Sequence, residues 1–278
     1  MSLLVARSGR DVTEEVTEDL LAFAHRLADE ARPLALRYFR QPLDVQIKAD
    51  LSPVTLADQA IERHLRALIL EHHPNHGLFG EEHGALATDR EWVWVLDPID
   101  GTKSFISGMP LFGTLIALLH FGKPVLGVVD HPALSERWVG VAGRGATYQG
   151  KPCKTRDCDH LSDAIVMTTS PDAYGDQASE DWQRFDKVSR RARLRRFGGD
   201  CYQYALLASG HIDVVMGANL EPYDFMPMVA LVRSTGGCIS NWKGEELTLS
   251  HTRERVLVSA TERLHQEVLS MLNEPLEG

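Results

Sequence analysis

The chain is poor in cysteine, has no long apolar run and is short of positive charge, and each shortage removes a class of function. Its 278 residues include four cysteines (Cys153, Cys158, Cys201, Cys238) and no Cys-x-x-Cys pair. That excludes a zinc knuckle, a thioredoxin-type redox motif and a disulfide-stapled fold. The thiols read as reduced, the state expected in cytoplasm, and only the Cys153/Cys158 spacing leaves a pair open. No uncharged apolar run approaches the roughly twenty residues that span a bilayer, and no basic-then-apolar leader starts the chain. A soluble, cytoplasmic protein with no membrane partner is expected. The formal net charge of −10 works against both nucleic acid and anionic lipid, so an anionic substrate would need cations or arginines placed locally. One basic run, Ser189 to Arg196, holds five arginines. It lacks interleaved aromatics and a wider basic surface, so it does not read as nucleic-acid binding. A solvated face or a subunit contact is its expected use, ahead of substrate contact.

What is present is ordinary globular material, 44% hydrophobic and 24% charged, over a length that supports a large core. From Thr13 to Phe39, Val16, Leu20, Phe23, Leu27, Ala31, Leu34 and Tyr38 recur at three- and four-residue steps. They predict an amphipathic helix opened by an Asp11/Glu14 capping box and kinked late by Pro33. An extended piece at Asp44–Leu51, carrying Lys48, leads through Ser52-Pro53 to a second helix over Thr55–His72, stopped by Pro74. Gly77–Glu82 predicts a strand ending in two acids. The histidines around it (His72, His73, His76, His83) read as a solvated loop ahead of a transition-metal site, because the better-organised ligands nearby are oxygens. Phe112–His120 and Pro124–Asp130 predict a hairpin about Phe121-Gly122-Lys123, followed by strand-like pieces at Arg137–Ala142 and Ala146–Gln149.

Composition changes near Gly150. Strands are then expected at Ala164–Thr169, Ile212–Met216, Cys238–Asn241 and Val256–Ser259, and helices at Asp181–Arg190, Cys201–Ser209, Glu221–Ser234 and Glu262–Asn273. No internal repeat or flexible linker separates the halves. Residues 1–278 are expected to form one unit of two lobes, a helix pair on an antiparallel sheet over 1–150 and an α/β lobe over 151–278.

The chemistry concentrates in Trp92-Val93-Trp94-Val95-Leu96-Asp97-Pro98-Ile99-Asp100-Gly101-Thr102. An apolar run breaking into Asp-Pro-x-Asp-Gly-Thr predicts a buried strand that delivers two carboxylates to its C-terminal edge. Pro98 turns the chain so that Asp97 and Asp100 face one volume. Gly101 allows close backbone approach, and the amides of Gly101 and Thr102 could hold a phosphate oxygen. Carboxylates for a hard cation beside amides for a phosphate suggest metal-assisted phosphoryl chemistry, with a strand and an Asp-capped turn as the plain alternative.

Read together, Gly80-Glu81-Glu82, Asp97-Pro98-Ile99-Asp100-Gly101-Thr102, Thr55-Leu56-Ala57-Asp58 and Pro222-Tyr223-Asp224 resemble the inositol monophosphatase superfamily of magnesium-dependent, lithium-sensitive phosphatases over nearly the whole chain. The resemblance implies an α/β layered fold, the αβαβα sandwich shared with fructose-1,6-bisphosphatase, and a homodimer. It also implies two or three Mg2+ ions, with Mn2+ possible. The first ion would be held by Glu81, Asp97 and the Ile99 carbonyl, the second by Asp97, Asp100 and Asp224, and a third by Glu81. Asp58 and Thr102 match the pair that polarises the attacking water, with service to the helix dipole the plainer, second-placed alternative for Asp58. Strand alternation favours Glu81 over Glu82 as the ligand. The small phosphomonoester would contact Asp100, Gly101, Thr102, Asp200 and Asp224, with Lys103 a further phosphate contact or a surface residue.

Within the superfamily, Gly198-Gly199-Asp200 and the segment around Tyr223, which stands where inositol phosphatases carry tryptophan, look like the histidinol-phosphate phosphatases of histidine biosynthesis. Asp200 either binds the substrate amine or caps the following helix. Inositol-1-phosphate, 3′-phosphoadenosine 5′-phosphate and a catalytically silent regulatory role stand as alternatives.

Overall fold

The structure is a computed structural model that describes residues 16–41, 46–47, 53–54 and 56–276. The expected Asp11/Glu14 capping box, Lys48 and Thr55 lie outside the described residues. Helix α1 (Glu18–Tyr38) begins where the Thr17 hydroxyl accepts from the Leu20 amide, has Glu18 and Asp19 in its first turn, and continues through Pro33. Its Leu20, Phe23, Leu27 and Ala31 form the buried stripe that the sequence periodicity predicts. Strands β1 (Gln46–Ile47) and β2 (Pro53–Val54) pair antiparallel. Helix α2 (Leu56–His72) buries Ile61, Leu65 and Ile69, and with them two acids, Asp58 and Glu62.

The first sheet comprises β3 (Gly77–Gly80), β4 (Gly84–Leu86), β5 (Trp92–Asp100), β6 (Gly113–His120), β7 (Lys123–His131), β8 (Glu136–Val141), β9 (Gly145–Tyr148) and β10 (Lys151–Cys153), with the short helix α3 (Thr102–Ser107) after β5. Its order is β10-β9-β8-β7-β6-β5-β3-β4. All neighbours are antiparallel except β3 and β5, which run parallel. The β6–β7 hairpin closes on Phe121 and Gly122, both at positive φ (46° and 76°), the backbone of a type I′ turn.

The second sheet is built from β11 (Ile165–Thr168), β12 (Leu194–Phe197), β13 (Val214–Leu220), β14 (Cys238–Asn241) and β15 (Glu254–Ser259), in the order β12-β11-β13-β15-β14. Four helices accompany it: α4 (Glu180–Ser189), α5 (Asp200–Ala208), α6 (Pro222–Ser234) and α7 (Glu262–Asn273).

Three apolar cores stack these elements into five layers. Leu27, Ile61 and Leu65 of α1 and α2 meet Trp94, Leu96 and Ile116 on one face of the large sheet. Val93, Val95 and Leu115 on its other face meet Ala205 and Leu207 of α5 and Phe225 and Val229 of α6, which also contact Val215 and Val258 of the small sheet. Val214 and Leu257 on the far face of that sheet pack on Phe185 of α4 and Leu264 and Val268 of α7. The result is the expected αβαβα arrangement.

Among the departures from the sequence expectation, β4, β10 and β12 are extra strands, and β13 runs four residues past Met216, to Leu220. Strand β12 falls inside the arginine run, whose charge masks its strand character. It is an edge strand, and charged side chains there discourage pairing with another chain. Arg190 and Arg195 both pair with Asp186 of α4. The histidine tract is a ring stack, with His73 on His76 and the Trp94 indole N–H donating to His76 Nδ1. All four cysteines are free. No described helix is long and apolar enough to cross a membrane.

Helix α6 lies between the two sheets and is apolar around most of its circumference, as a sandwiched helix must be. Its backbone comes so close to the large sheet that a Cβ on Gly127 would stand 2.2 Å from the Pro227 carbonyl oxygen, and one on Gly140 would stand 2.5 Å from the Leu231 Cα. Backbone atoms cannot yield as a side chain does. Gly127→Ala is therefore expected to lower unfolding free energy by about 1–3 kcal/mol through overpacking, read as a shift in the urea midpoint. An unchanged midpoint would show that α6 is not held at this distance.

Candidate active site

Strand β5 carries the first two acids, and a bulge points them the same way. Asp97 pairs with Leu115 of β6 while Asp100 pairs with Gly113, so three steps on β5 oppose two on its neighbour. In a regular strand, residues three apart face opposite sides; one extra residue restores the same side. Val93 and Val95 already face the α5–α6 core, and Asp97 continues that face. Ile99 takes the other face, in the core beneath α1 and α2. Its carbonyl accepts the Thr102 hydroxyl at 3.3 Å, and the Pro98 carbonyl accepts the Thr114 hydroxyl at 2.8 Å. Gly101 then turns with φ 80°, ψ 41° into α3.

Asp224 joins these acids from the far side. It is the third residue of α6, and its Oδ2 accepts the Glu221 amide at 2.8 Å, which fixes the carboxylate at the helix start. Asp97, Asp100 and Asp224 offer carboxylate oxygens that all lie within 4.8 Å of one another. The Asp97 Oδ1 is buried without a hydrogen-bond partner among the described residues. Burial, followed by the charges of Glu81, Asp100, Asp224 and Asp58, holds the Asp97 carboxyl well above the usual carboxylate range. Asp224 is pushed up to about 8 by burial and by Asp100. Asp100 reaches about 6, through burial and Asp200 against the opposing Cys201 hydrogen bonds. A close set of hard oxygens that cannot all ionise together is a donor set suited to a divalent cation.

Glu81 lines the same cavity, of about 560 Å³, together with Asp100, Gly101, Thr102, Lys103, Asp200 and Asp224. It does not sit on a strand, as the alternation argument assumed. β3 ends at Gly80, and Glu81 and Glu82 occupy the tight turn into β4. Asp58 is buried in the first turn of α2, close enough to raise Asp97.

The Gly198-Gly199-Asp200 segment is more unusual than its sequence suggests. All three residues have positive φ (93°, 121° and 43°), and Asp200 opens α5 without capping it. The capping position is Gly199, and the carboxylate of Asp100 reaches across to accept the Cys201 amide at 2.7 Å. The Asp200 carboxylate instead lies along the Gly101 backbone, accepts the Ser104 hydroxyl, and is raised by burial. Helix capping therefore does not account for Asp200.

Much of the remaining cavity wall, Thr168 to Ser170, Asp172 and Gly217 to Leu220, carries no local sequence signal. These residues follow the C-terminal end of β11 and close β13, an edge where parallel strands commonly present ligand groups. Glu62 was also missed. It is fully buried, and its Oε2 and Oε1 accept the amides of Glu82 and His83 at 2.7 and 3.1 Å. A fixed four-residue step from Asp58 was the available signal.

The sequence matches the inositol monophosphatase family over residues 16–276. The chain belongs to this family. It is 40% identical over 273 residues to a protein of Arabidopsis thaliana named bifunctional phosphatase IMPL2, chloroplastic, covering 95% of this chain and 78% of the relative. It is 37% identical to a histidinol-phosphatase of Chlorobaculum parvum, over 81% of this chain and 87% of that protein. Its structure superposes on an inositol monophosphatase from Zymomonas mobilis with TM-score 0.83 and 40% identity, covering 92% of this chain and 98% of the other. The family is one of phosphatase hydrolases, so the acidic cluster sits where hydrolytic chemistry is to be sought.

The raised carboxyls have a consequence for stability. Folded Asp100 and Asp224 keep protons to about pH 6 and 8, whereas unfolded aspartate releases them near pH 4. The folded state therefore binds more protons across that window, and stability must fall as pH rises through it when no cation is bound. In EDTA, thermal unfolding is expected at lower temperature at pH 8 than at pH 5.5. Added Mg2+ should restore the loss, and Asp224→Asn should flatten the slope. An EDTA-treated protein equally stable at both pH values would contradict the cluster's electrostatics.

Proposed function

We propose that the protein is a metal-dependent phosphomonoesterase whose preferred substrate is L-histidinol phosphate, released as L-histidinol and phosphate. The observation that carries the phosphatase reading is the Asp97–Asp100–Asp224 cluster, of which Asp100 and Asp224 line the same cavity as Gly101 and Thr102. Glu81, Asp97 and the Ile99 carbonyl would hold one Mg2+ ion and Asp97, Asp100 and Asp224 a second, with Glu81 serving a weaker third; Mn2+ is the alternative occupant. When bound, such ions neutralise phosphate charge and lower the pKa of the attacking water.

The chain's own groups do the rest. Asp58, with the Thr102 hydroxyl, orients the water and takes its proton. The Gly101 and Thr102 amides hold a phosphate oxygen, and Lys103 adds positive charge at the rim. No covalent phospho-enzyme is needed, because water attacks directly. Asp200 faces the departing alcohol, and a half-buried carboxylate there suits an alcohol that carries an ammonium. The relatives named histidinol-phosphatase at 37% and 32% identity point the same way. A second reading, inositol monophosphate, is favoured by the Zymomonas mobilis structure at 40% identity, with 3′-phosphoadenosine 5′-phosphate behind it. A silent regulatory homologue would have no need of the complete acid set. A second copy of the chain is the expected partner, and the cytoplasm the expected location.

Phosphate release from histidinol phosphate, inositol-1-phosphate and the bisphosphate nucleotide, with Mg2+, EDTA and lithium, tests the reading. Asp200→Asn is expected to raise KM for histidinol phosphate about tenfold or more, the loss of one hydrogen bond to a charged group, while sparing KM for the inositol ester. A KM unchanged for histidinol phosphate would remove Asp200 from substrate recognition, and a wild-type preference for the inositol ester would select the second reading.

A further inference from the structure

Glu62 sits one helical turn after Asp58 on α2, and its carboxylate is fully buried. Burial of a carboxylate is costly unless every oxygen is partnered. Its oxygens accept the Glu82 amide at 2.7 Å, the His83 amide at 3.1 Å and the Arg66 guanidinium at 3.0 Å. Arg66, one further turn along, also donates to the Gly84 carbonyl at 3.0 Å. Two side chains of α2 thus clasp three consecutive backbone positions of the β3–β4 turn, the turn that carries Glu81. Gly80 completes the fit, because a Cβ there would lie 2.2 Å from Glu62 Oε1. A hydrophobic residue here would leave the Glu82 and His83 amides and the Arg66 guanidinium without this acceptor, so the carboxylate itself is what ties the turn to α2.

We propose that Glu62 is a positioning residue that fixes the Glu81 turn in the geometry needed to bind a divalent cation. The inference rests on the reading of Glu81 as a ligand. Outer groups that orient metal ligands typically contribute 10–100-fold in metal affinity, and Glu62 acts on the backbone of the ligand's own turn. Its hold is stiff because the two amides are adjacent and both bonds are made to one charged group.

The test is direct Mn2+ binding to the metal-stripped full chain, followed by electron paramagnetic resonance of free Mn2+, alongside thermal unfolding in EDTA. Glu62→Gln keeps the volume but leaves one amide facing an NH2 group. It is expected to weaken Mn2+ binding about 10-fold or more. Gly80→Ala, which leaves Glu62 in place and displaces its carboxylate, serves as the second variant and is expected to weaken binding in the same direction. Either variant binding Mn2+ like the wild type, whatever its unfolding temperature, overturns the proposal. Glu81→Gln separates the two readings. If it alone weakens binding, Glu81 is a ligand and Glu62 does not position it. If it leaves binding unchanged, the ligand reading fails and takes the proposal with it.

Discussion

Carboxylates gathered in a desolvated space repel one another, and the rest of the structure is arranged to hold them there. Asp97, Asp100 and Asp224 share a volume a few ångströms across, and burial pushes all three toward the neutral form. Local structure cannot keep such a set together, since each acid would gain by turning to water. What holds them is attachment to stiff elements that are themselves packed elsewhere. Asp97 and Asp100 hang from a central strand paired on both sides, and Asp224 hangs from a helix pressed between two sheets.

The sandwich therefore does more than bury apolar area. It converts packing on three cores into fixed distances at one sheet edge. Helix α6 shows how: Gly127 and Gly140 give up side chains so that its backbone can close on the large sheet, and the approach brings its first turn, with Asp224, over β5. Helix α5 is tied in by a different bond, the Cys201 amide to the Asp100 carboxylate. That bond lowers the Asp100 carboxyl against the effect of burial and places Asp200 against Gly101. A single carboxylate thus serves both the acid cluster and the approach of α5.

How much of this is legible in the sequence depends on the range of the cause. Short-range causes were readable: the stripe of α1, the hairpin about Phe121-Gly122-Lys123 and the break of an apolar strand into Asp-Pro-x-Asp. The bulge on β5 was half readable, because Pro98 signals a turn while the extra residue appears only in the pairing with β6. Long-range causes were hidden. Glu62 looks like any solvent-facing acid in an amphipathic helix, and its burial depends on amides some twenty positions away. Strand β12 is concealed by its arginines, of which Arg195 pairs with Asp186 of α4. The family resemblance supplied Asp224, which no local pattern would have joined to Asp97.

The alignment of Asp58, Glu62 and Arg66 on one face of α2 links two tasks that sequence reasoning keeps apart. Residues four apart on a helix stack along one side, so Asp58 cannot shift relative to Glu62 without distorting α2 itself. On the proposed reading, Asp58 orients the attacking water and the Glu62–Arg66 pair sets the turn bearing Glu81. Base and ligand are then placed by one rigid body whose adjoining face, Ile61, Leu65 and Ile69, is locked in the core with α1. A relative displacement of even one ångström between water and metal would be costly to an in-line reaction. Carrying both references on a single packed helix removes that degree of freedom, and only an acceptor such as the Glu62 carboxylate ties the amides of the turn to that helix.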